Sequence, residues 1–197
     1  SMKRLADLVI AGCAMVLLSP VIGLLSLLVR VFLGSPVFFR QIRPGLRGEP
    51  FELVKFRTMT HRSDQNGDLL LDAERLTNFG TFLRSTSLDE LPELWNVVRG
   101  KMSLVGPRPL LVEYLPRYSP VQARRHEVRP GLTGLAQVKG RNDLSWKEKF
   151  SLDVWYVDNH DSKLDLAIIL WTFKIVITGR GVSPKHSATV ARFDGTN

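Results

Sequence analysis

The most apolar stretch of the chain covers residues 8–29, and these 22 residues carry no charged side chain. A straight helix of that length would measure about 33 Å at about 1.5 Å per residue, which is enough to cross the hydrocarbon core of a bilayer. Ser19 and Pro20 stand in the middle of the stretch. Because proline lacks an amide hydrogen and disfavours helix at the preceding residue, the pattern predicts a helix-break-helix over residues 2–33.

Basic residues flank this stretch on both sides. Lys3 and Arg4 precede it, and the arginines that follow are Arg30, Arg40, Arg43 and Arg47. Positive flanks favour the cytoplasmic side of a membrane, so we expect a re-entrant helix that enters and leaves on that side, with a cytoplasmic-face domain over residues 34–197. A straight transmembrane anchor and a buried core helix are the alternatives. A signal peptide is disfavoured because the stretch is too long and no A-x-A site follows.

Further along, residues 37–41 and 51–55 predict two strands of a β-hairpin, since proline and glycine lie between them. Residues 73–84 have helical spacing. A second, short helix is predicted before Gly100 because one helical face would carry Leu91, Leu94, Trp95 and Val98.

The remaining segments predict a loop and a short helix over residues 102–118, and a long functional loop rich in turn-formers over residues 129–142. Residues 164–177 are apolar almost all round, which indicates either a buried core helix or a helix in the membrane surface. Together the patterns predict an α+β fold that is mostly helical, with a small β-hairpin.

Composition adds a preference for anionic partners. The 197 residues are 44% hydrophobic, enough for one compact domain plus the apolar attachment, and the formal charge is +8. Phosphate groups, acidic lipid and nucleic acid all fit that charge, but no nucleic-acid recognition motif is present. The single cysteine, Cys13, forms no intramolecular disulfide, which favours a reducing compartment.

Two adjacent carboxylates, Asp89 and Glu90, stand at a predicted helix start. Ser87 with Glu90 fits a capping box, and Asp89 could itself be the cap. The positive end of a helix dipole favours the ionised form. An ionised aspartate needs no base to act as a nucleophile, and it could also hold a hard divalent cation. As an isolated motif, however, the pair is an ordinary helix stabiliser.

Basic residues beside turn-formers or strand ends give the carboxylates a context that suits phosphate. They are Lys55, Arg57, Arg108, Arg129 and Arg141, and Arg84 lies five residues before Asp89. Guanidinium groups match phosphate oxygens. Other classes lack support, because the sequence has no P-loop, no G-x-G-x-x-G, no G-x-S-x-G, no D-x-D and no cysteine pair.

Four segments taken together resemble a known family. They are KFRTM at 55–59, SLDELPELWNV at 87–97, GPRPLLVEYLP at 106–116 and RPGLTGLAQVKGRN at 129–142. In this order they resemble the bacterial sugar transferases of the monotopic phosphoglycosyl transferase superfamily, in particular its minimal PglC-type members.

The resemblance implies a re-entrant helix broken at Ser19-Pro20, interfacial amphipathic helices, and a location on the cytoplasmic face of the bacterial inner membrane. It also implies that Asp89 attacks the β-phosphate of a UDP-sugar, that UMP leaves, and that undecaprenyl phosphate then takes the sugar phosphate, with Mg²⁺ required. The implied sugar is an N-acetylated hexosamine such as N,N'-diacetylbacillosamine, and the implied pathway is glycan or glycoconjugate assembly.

The resemblance further implies roles for individual residues. Asp89 is the nucleophile and a metal ligand, and Glu90 serves in positioning or metal ligation. The implied phosphate and substrate residues are Lys55, Arg84, Arg108, Arg141 and Asp153. A different class of function, a non-enzymatic basic scaffold that binds inner-membrane lipid, is the alternative, and neither hypothesis involves nucleic acid.

Overall fold

The computed structural model describes residues 2–140, 143–178 and 192–196. Within these ranges the fold is α+β and mostly helical, which confirms the predicted class. The helices are α1 (Met2–Phe32), α2 (Asp72–Arg75), α3 (Asn78–Ser85), α4 (Glu93–Val98), α5 (Pro120–Ala123), α6 (Leu135–Lys139), α7 (Trp146–Asn159) and α8 (Ser162–Thr178), and the strands are β1 (Phe38–Pro44), β2 (Pro50–Phe56), β3 (Ser103–Val105) and β4 (Gly131–Thr133).

Helix α1 runs without interruption through Pro20, so the two separate helices predicted on either side of Ser19-Pro20 are one helix in the structure. Proline leaves the carbonyl four residues earlier, that of Val16, without its usual amide donor. The Ser19 hydroxyl donates to that carbonyl at 2.8 Å. The acceptor freed by Pro20 is therefore satisfied inside the helix, which lets the helical backbone continue.

The two halves of α1 nevertheless pack against different clusters of the same domain. Ala11 and Leu18 join a cluster that includes residues of β2, α4 and β3. Beyond Pro20, Leu25 and Val29 pack with a second cluster that includes residues of β2 and α3. The boundary between the two contacts falls at the Ser-Pro pair.

The opposite face of α1 carries exposed apolar side chains, among them Val16, Leu17 and Leu27. Among the described residues, α1 is the helix long and apolar enough to cross a membrane, and 11% of its most apolar 18-residue window is buried. That small fraction argues against the buried-core alternative, because a core helix buries its apolar side chains.

Two pairs of strands position the loops that follow them. The predicted hairpin is confirmed as an antiparallel pair of β1 and β2, with Phe38 opposite Phe56. Strands β3 and β4 form a parallel pair, so the loops after Val105 and after Thr133 leave at the same edge. Gly106 allows this close approach, since a Cβ atom there would lie 2.4 Å from the Arg129 carbonyl oxygen.

Three local predictions are wrong. The segment predicted as a loop and a short helix over residues 102–118 begins with β3. The helix predicted over residues 73–84 is divided into α2 and α3, because Leu76 is extended and Thr77 caps α3 by accepting from the Gly80 amide. The segment predicted as a loop over residues 129–142 contains β4 and α6, since β4 gains its pairing from the distant β3.

Helix α8 fits the interfacial alternative better than the buried one. Ile168 is its buried residue, whereas apolar side chains on the rest of its surface are exposed, including Leu166, Leu170, Phe173 and Ile177. An exposed apolar face of this kind is typical of a membrane or protein contact.

Candidate active site

The Asp89-Glu90 pair lies in a 3₁₀ turn, Leu88–Glu90, directly before α4. Ser87 adopts a left-handed conformation with φ of 57° and makes no capping hydrogen bond. The predicted capping box is therefore wrong, and Pro92 occupies the N-cap position of α4 instead. Both carboxylates still lie within one turn of the N-terminal end of the helix.

Asn96 links α4 to the β1–β2 hairpin by hydrogen bonds and so positions Asp89 and Glu90 relative to β2. Its side-chain amide accepts from the Val54 amide at 3.1 Å and donates to the Glu52 carbonyl at 2.7 Å. The amide therefore pairs with the backbone of β2 as a neighbouring strand would. Because Lys55 follows Val54, this contact brings its ammonium group to the start of α4.

Three ionic contacts define the centre of the site. Lys55 Nζ donates to Glu90 Oε1 at 2.7 Å and lies 2.9 Å from Glu93 Oε1. The Glu93 contact lacks hydrogen-bond geometry, so it is an ion pair only. Arg108 Nη2 donates to the same Glu90 oxygen at 2.6 Å. Glu90 thus joins the end of β2 to the loop that follows β3.

Asp89 stands apart from these contacts. It is 9% exposed and makes no hydrogen bond or ion pair within the described ranges. Burial, together with the neighbouring charge of Glu90, raises its pKa to about 6, although Lys55, Arg108 and Arg84 oppose the shift. At pH 7 such a carboxylate is still about nine-tenths ionised, and it is more basic than an ordinary aspartate.

Glu90 and Glu93 differ from Asp89 because of the same cations. Burial alone would raise the pKa of Glu90, but Arg108 and Lys55 outweigh it and hold that pKa well below its usual range. Burial raises the pKa of Glu93 to about 7, since Lys55 compensates it less. Asp89 is therefore the carboxylate whose lone pairs are both available and basic.

The other predicted site residues have separate positions. Arg84, at the end of α3, donates from Nε to the Thr58 hydroxyl at 3.0 Å, and its charge acts on Asp89. Gly80 makes this packing possible, because a Cβ atom there would lie 1.8 Å from the Thr58 carbonyl oxygen. Arg141 lies outside the described residues. Asp153 is buried in an ion pair with Arg125 at 2.7 Å.

Residues 1–179 match the sequence model of the family described as bacterial sugar transferase. The chain belongs to the bacterial sugar transferase family. It is 52% identical over 195 residues to the uncharacterized sugar transferase EpsL of Bacillus subtilis, covering 99% of this chain and 96% of EpsL.

Two further relatives of this sugar transferase carry more specific names. It is 41% identical over 182 residues to a UDP-glucose:undecaprenyl-phosphate glucose-1-phosphate transferase of Klebsiella pneumoniae, covering 86% of this chain and 39% of the relative. It is 39% identical over 197 residues to a UDP-galactose-lipid carrier transferase of Erwinia amylovora, covering 91% of this chain and 41% of the relative. The chain therefore spans about two-fifths of the length of these two proteins.

The donor set of the sugar transferase fits a weakly held divalent cation. No cluster of three or more His, Cys, Asp or Glu side chains occurs in the part of the chain that the structure describes. Mg²⁺ commonly takes one or two protein carboxylates and completes its shell with water and substrate phosphates. Asp89, with Glu90 beside it, meets that requirement, whereas Glu93 is less suited because it is only 3% exposed.

Three residues important to this arrangement were not among the sequence candidates: Glu93, Asn96 and Arg125. A signal for the first two was present, because both lie among apolar residues on the inward side of α4, where Leu94 and Val97 are buried. Polar side chains in such positions have partners as a rule. Arg125 offered no comparable signal, since it stands in a polar sequence.

Proposed function

We propose that this chain transfers a sugar-1-phosphate from a UDP-sugar to undecaprenyl phosphate and releases UMP, in two steps through a phosphosugar bonded to Asp89. The observation that carries the proposal is the contrast between the two adjacent carboxylates. Glu90 is held by Lys55 and Arg108, whereas Asp89 has no bonded partner in the described ranges and has a raised pKa.

In the first step an Asp89 oxygen attacks the β-phosphorus of the donor. The bond from that phosphorus to the bridging oxygen breaks, and UMP leaves with the electron pair. In the second step a phosphate oxygen of the lipid attacks the same phosphorus. The bond to Asp89 breaks, the carboxylate is regenerated, and the product is a lipid-linked sugar diphosphate. Both nucleophiles are anionic, so neither step needs a general base.

The cations around Asp89 would stabilise charge on the transferring phosphoryl group. Arg108 is suited to this, because 44% of its side chain is exposed while one nitrogen is fixed by Glu90. Arg84 brings a further positive charge next to Asp89. A Mg²⁺ ion held by Asp89, with Glu90 beside it, would supply additional charge neutralisation.

An isotope exchange experiment tests the covalent step. Detergent-solubilised protein is incubated with labelled UMP, Mg²⁺ and a UDP-sugar, without lipid acceptor. We expect label to enter the UDP-sugar in the wild type and in Asp68→Asn, an exposed carboxylate variant that serves as control, but not in Asp89→Asn. Absence of exchange in the wild type, or undiminished exchange in Asp89→Asn, refutes the mechanism.

The sugar is proposed as an N-acetylated hexosamine, in keeping with the PglC-type resemblance. The names of the relatives point instead to glucose and galactose. A panel of UDP-N,N'-diacetylbacillosamine, UDP-GlcNAc, UDP-GalNAc, UDP-glucose and UDP-galactose, scored by UMP release, distinguishes these donors. A clear preference for a hexose without an N-acetyl group refutes this part of the proposal.

We also propose that α1 is re-entrant and that the catalytic domain faces the cytoplasm. Arg4 donates to the carbonyls of Val97 and Val98 at 2.6 and 2.8 Å. At the other end, the buried Arg57 donates to the carbonyl of Leu33. Both ends of α1 are therefore bound to one domain, which favours placing them on the same side of a membrane.

Cysteine labelling tests this topology. In a Cys13→Ser background, Met2→Cys and Phe39→Cys place thiols at exposed positions on either side of the apolar stretch. An impermeant maleimide should label both in inside-out vesicles and neither in intact cells freed of outer membrane. Labelling of either thiol from the outside contradicts the re-entrant arrangement.

A further inference from the structure

A buried arginine connects the active-site loop to α7. Arg125 is 3% exposed, and its Nε and Nη2 donate to Asp153 Oδ2 at 3.0 and 2.7 Å. The same Nη2 donates to the main-chain carbonyl of Arg108 at 2.8 Å. The guanidinium therefore fixes the backbone of the residue whose side chain meets Glu90.

An aromatic cage (Tyr114, Tyr118, Trp146 and Phe150) lies against this arginine. The guanidinium carbon of Arg125 is 5.7 Å from the Tyr118 ring and 5.6 Å from the Phe150 ring. Cation–π contacts of this kind favour one placement of the charge. The position of Arg125 therefore depends on where these two rings lie.

Phe193 fills the aromatic cage. It is 1% exposed, and its ring centroid lies 4.9 Å from that of Phe150 and 5.8 Å from that of Tyr118. Its amide donates to the Tyr114 hydroxyl at 3.2 Å, and its carbonyl accepts from Arg117 at 2.5 Å. Phe193 lies beyond residues 1–179, the range that matches the family. The packing that Phe193 provides for the rings next to Arg125 therefore comes from outside the matched range.

These contacts form an unbroken series from Phe193 through the two rings, Arg125 and Arg108 to Glu90. We propose that Phe193, Arg125 and Asp153 are positioning residues, which hold Arg108 where it can bind the donor diphosphate. The proposal rests on the function proposed above. Asp153, implied by the family resemblance to bind substrate, would act instead through Arg125 on the Arg108 carbonyl.

The geometry explains why Arg108 needs this support. Its side chain is 44% exposed, and a long exposed side chain has many accessible rotamers. Two hydrogen bonds hold Arg108: its side chain donates to Glu90, and its main-chain carbonyl accepts from Arg125. Loss of the Arg125 hydrogen bond would let the loop that carries Arg108 shift. Misplacement of a substrate-positioning group by about 1 Å can lower a rate by about a hundredfold.

A double-mutant cycle tests the proposal on the full chain in nanodiscs, with kcat and KM measured for the preferred UDP-sugar. Phe193→Leu keeps apolar bulk but loses the ring contacts, and we expect kcat/KM to fall about tenfold or more. Arg108→Lys keeps the charge but loses the planar fork. In the Arg108→Lys background Phe193→Leu should lower kcat/KM by less than about threefold, because Phe193 is proposed to act through the Arg108 side chain, which is already altered there.

Two comparisons separate positioning from general loss of stability. Arg125→Lys retains the charge yet lacks the forked geometry, so it should resemble Phe193→Leu in kcat/KM. Ile168→Ala removes a fully buried side chain of α8 outside this series, so it should lower the melting temperature while the folded enzyme keeps its kcat/KM.

The outcomes are distinct. A loss that is smaller in the Arg108→Lys background supports the proposal. Equal losses in both backgrounds, or an equal loss of activity in Ile168→Ala, overturn it while turnover by the wild type still supports the proposed function. Absence of turnover in the wild type refutes the proposed function and the positioning roles with it.

Discussion

Replacing Lys55 with methionine removes a cation that lies between two buried carboxylates. Its ammonium group is 2.7 Å from Glu90 and 2.9 Å from Glu93. Methionine has a similar length and no charge. Arg108 still compensates Glu90 through its own bond at 2.6 Å, so the main uncompensated group in the variant is Glu93, which is 3% exposed.

The expected cost follows from the burial of that pair. Removing one partner of a buried ion pair typically destabilises a protein by about 3–5 kcal/mol. The pKa of Glu93 is raised to about 7 in the wild type, and loss of Lys55 should raise it further. Protonation of Glu93 then relieves part of the cost, so we expect the loss of stability in Lys55→Met to be smaller at pH 6 than at pH 8.

The sign follows from proton binding. Glu93 is protonated in the folded variant at a pH where the unfolded chain has released that proton, so the folded state binds more protons. Stability of the variant therefore falls as pH rises from 6 to 8. Unfolding in detergent micelles at both pH values measures this difference.

Glu93→Gln provides the matched control, since it removes the carboxylate charge at nearly constant size. In that background Lys55→Met should cost at least about 1 kcal/mol less, a typical coupling for groups in contact. An equal cost in both backgrounds, together with an equal cost at pH 6 and pH 8, would refute the view that Lys55 compensates Glu93.

Three further predictions concern other parts of the molecule. Asp7 accepts from the Ser103 hydroxyl at 2.7 Å and from the Leu104 amide at 3.1 Å, so Asp7→Ala should destabilise by about 1–3 kcal/mol in thermal unfolding. Burial and the neighbouring charge of Arg125 lower the pKa of His126 to about 4. Between about pH 6.5 and pH 4 the unfolded chain therefore binds more protons than the folded one, so the stability of the fold should fall as pH drops through that range. His126→Gln should make the stability less dependent on pH there. If α8 lies in the membrane surface, Trp171→Phe should remove more of the tryptophan quenching by brominated lipid than Trp146→Phe does, because Trp146 belongs to the aromatic cage.

The elements that could be predicted from the sequence are those whose apolar spacing and turn residues lie within or directly beside the element. The hairpin was predictable because apolar runs flank a turn-rich segment, and a short helix before Gly100 was predictable from its apolar spacing. The face predicted for α4 is partly wrong, because Trp95 is exposed and Val97 is buried. The division between α2 and α3 was not predictable, since Leu76 is held extended by a bridge to Met59. Strand β4 likewise depends on a partner 28 residues earlier in the chain, and no local pattern carries that information.

The candidate site was predictable in its residue types but not in its contacts. Lys55, Arg84 and Arg108 all act on Asp89; the sequence had indicated them by a predicted strand end, by closeness to Asp89 in the chain and by neighbouring turn-formers, respectively. The sequence could not indicate that Glu90 forms ion pairs with two of these cations, or that Asp153 forms its ion pair with Arg125. The contact of Lys55 with Glu90 depends on α4 packing against β2 through Asn96, and that of Asp153 depends on α7 packing against the turn that carries Arg125; both are tertiary contacts.

Asp89 and Glu90 are neighbours in sequence, yet the fold gives them opposite electrostatic environments, and their proposed roles follow from that difference. Within the described residues the immediate surroundings contain three carboxylates, with Glu93 as the third, and four cations: Lys55, Arg84, Arg108 and Arg43. Because the pKa of Glu93 is raised to about 7, the site carries a small positive excess before any donor is bound, and that excess is smaller than the roughly two negative charges of a diphosphate. A diphosphate brings further negative charge into a buried site, where uncompensated charge is costly. We therefore expect donor binding to require an additional cation, which is a physical reason for Mg²⁺ that does not depend on a preformed metal cluster.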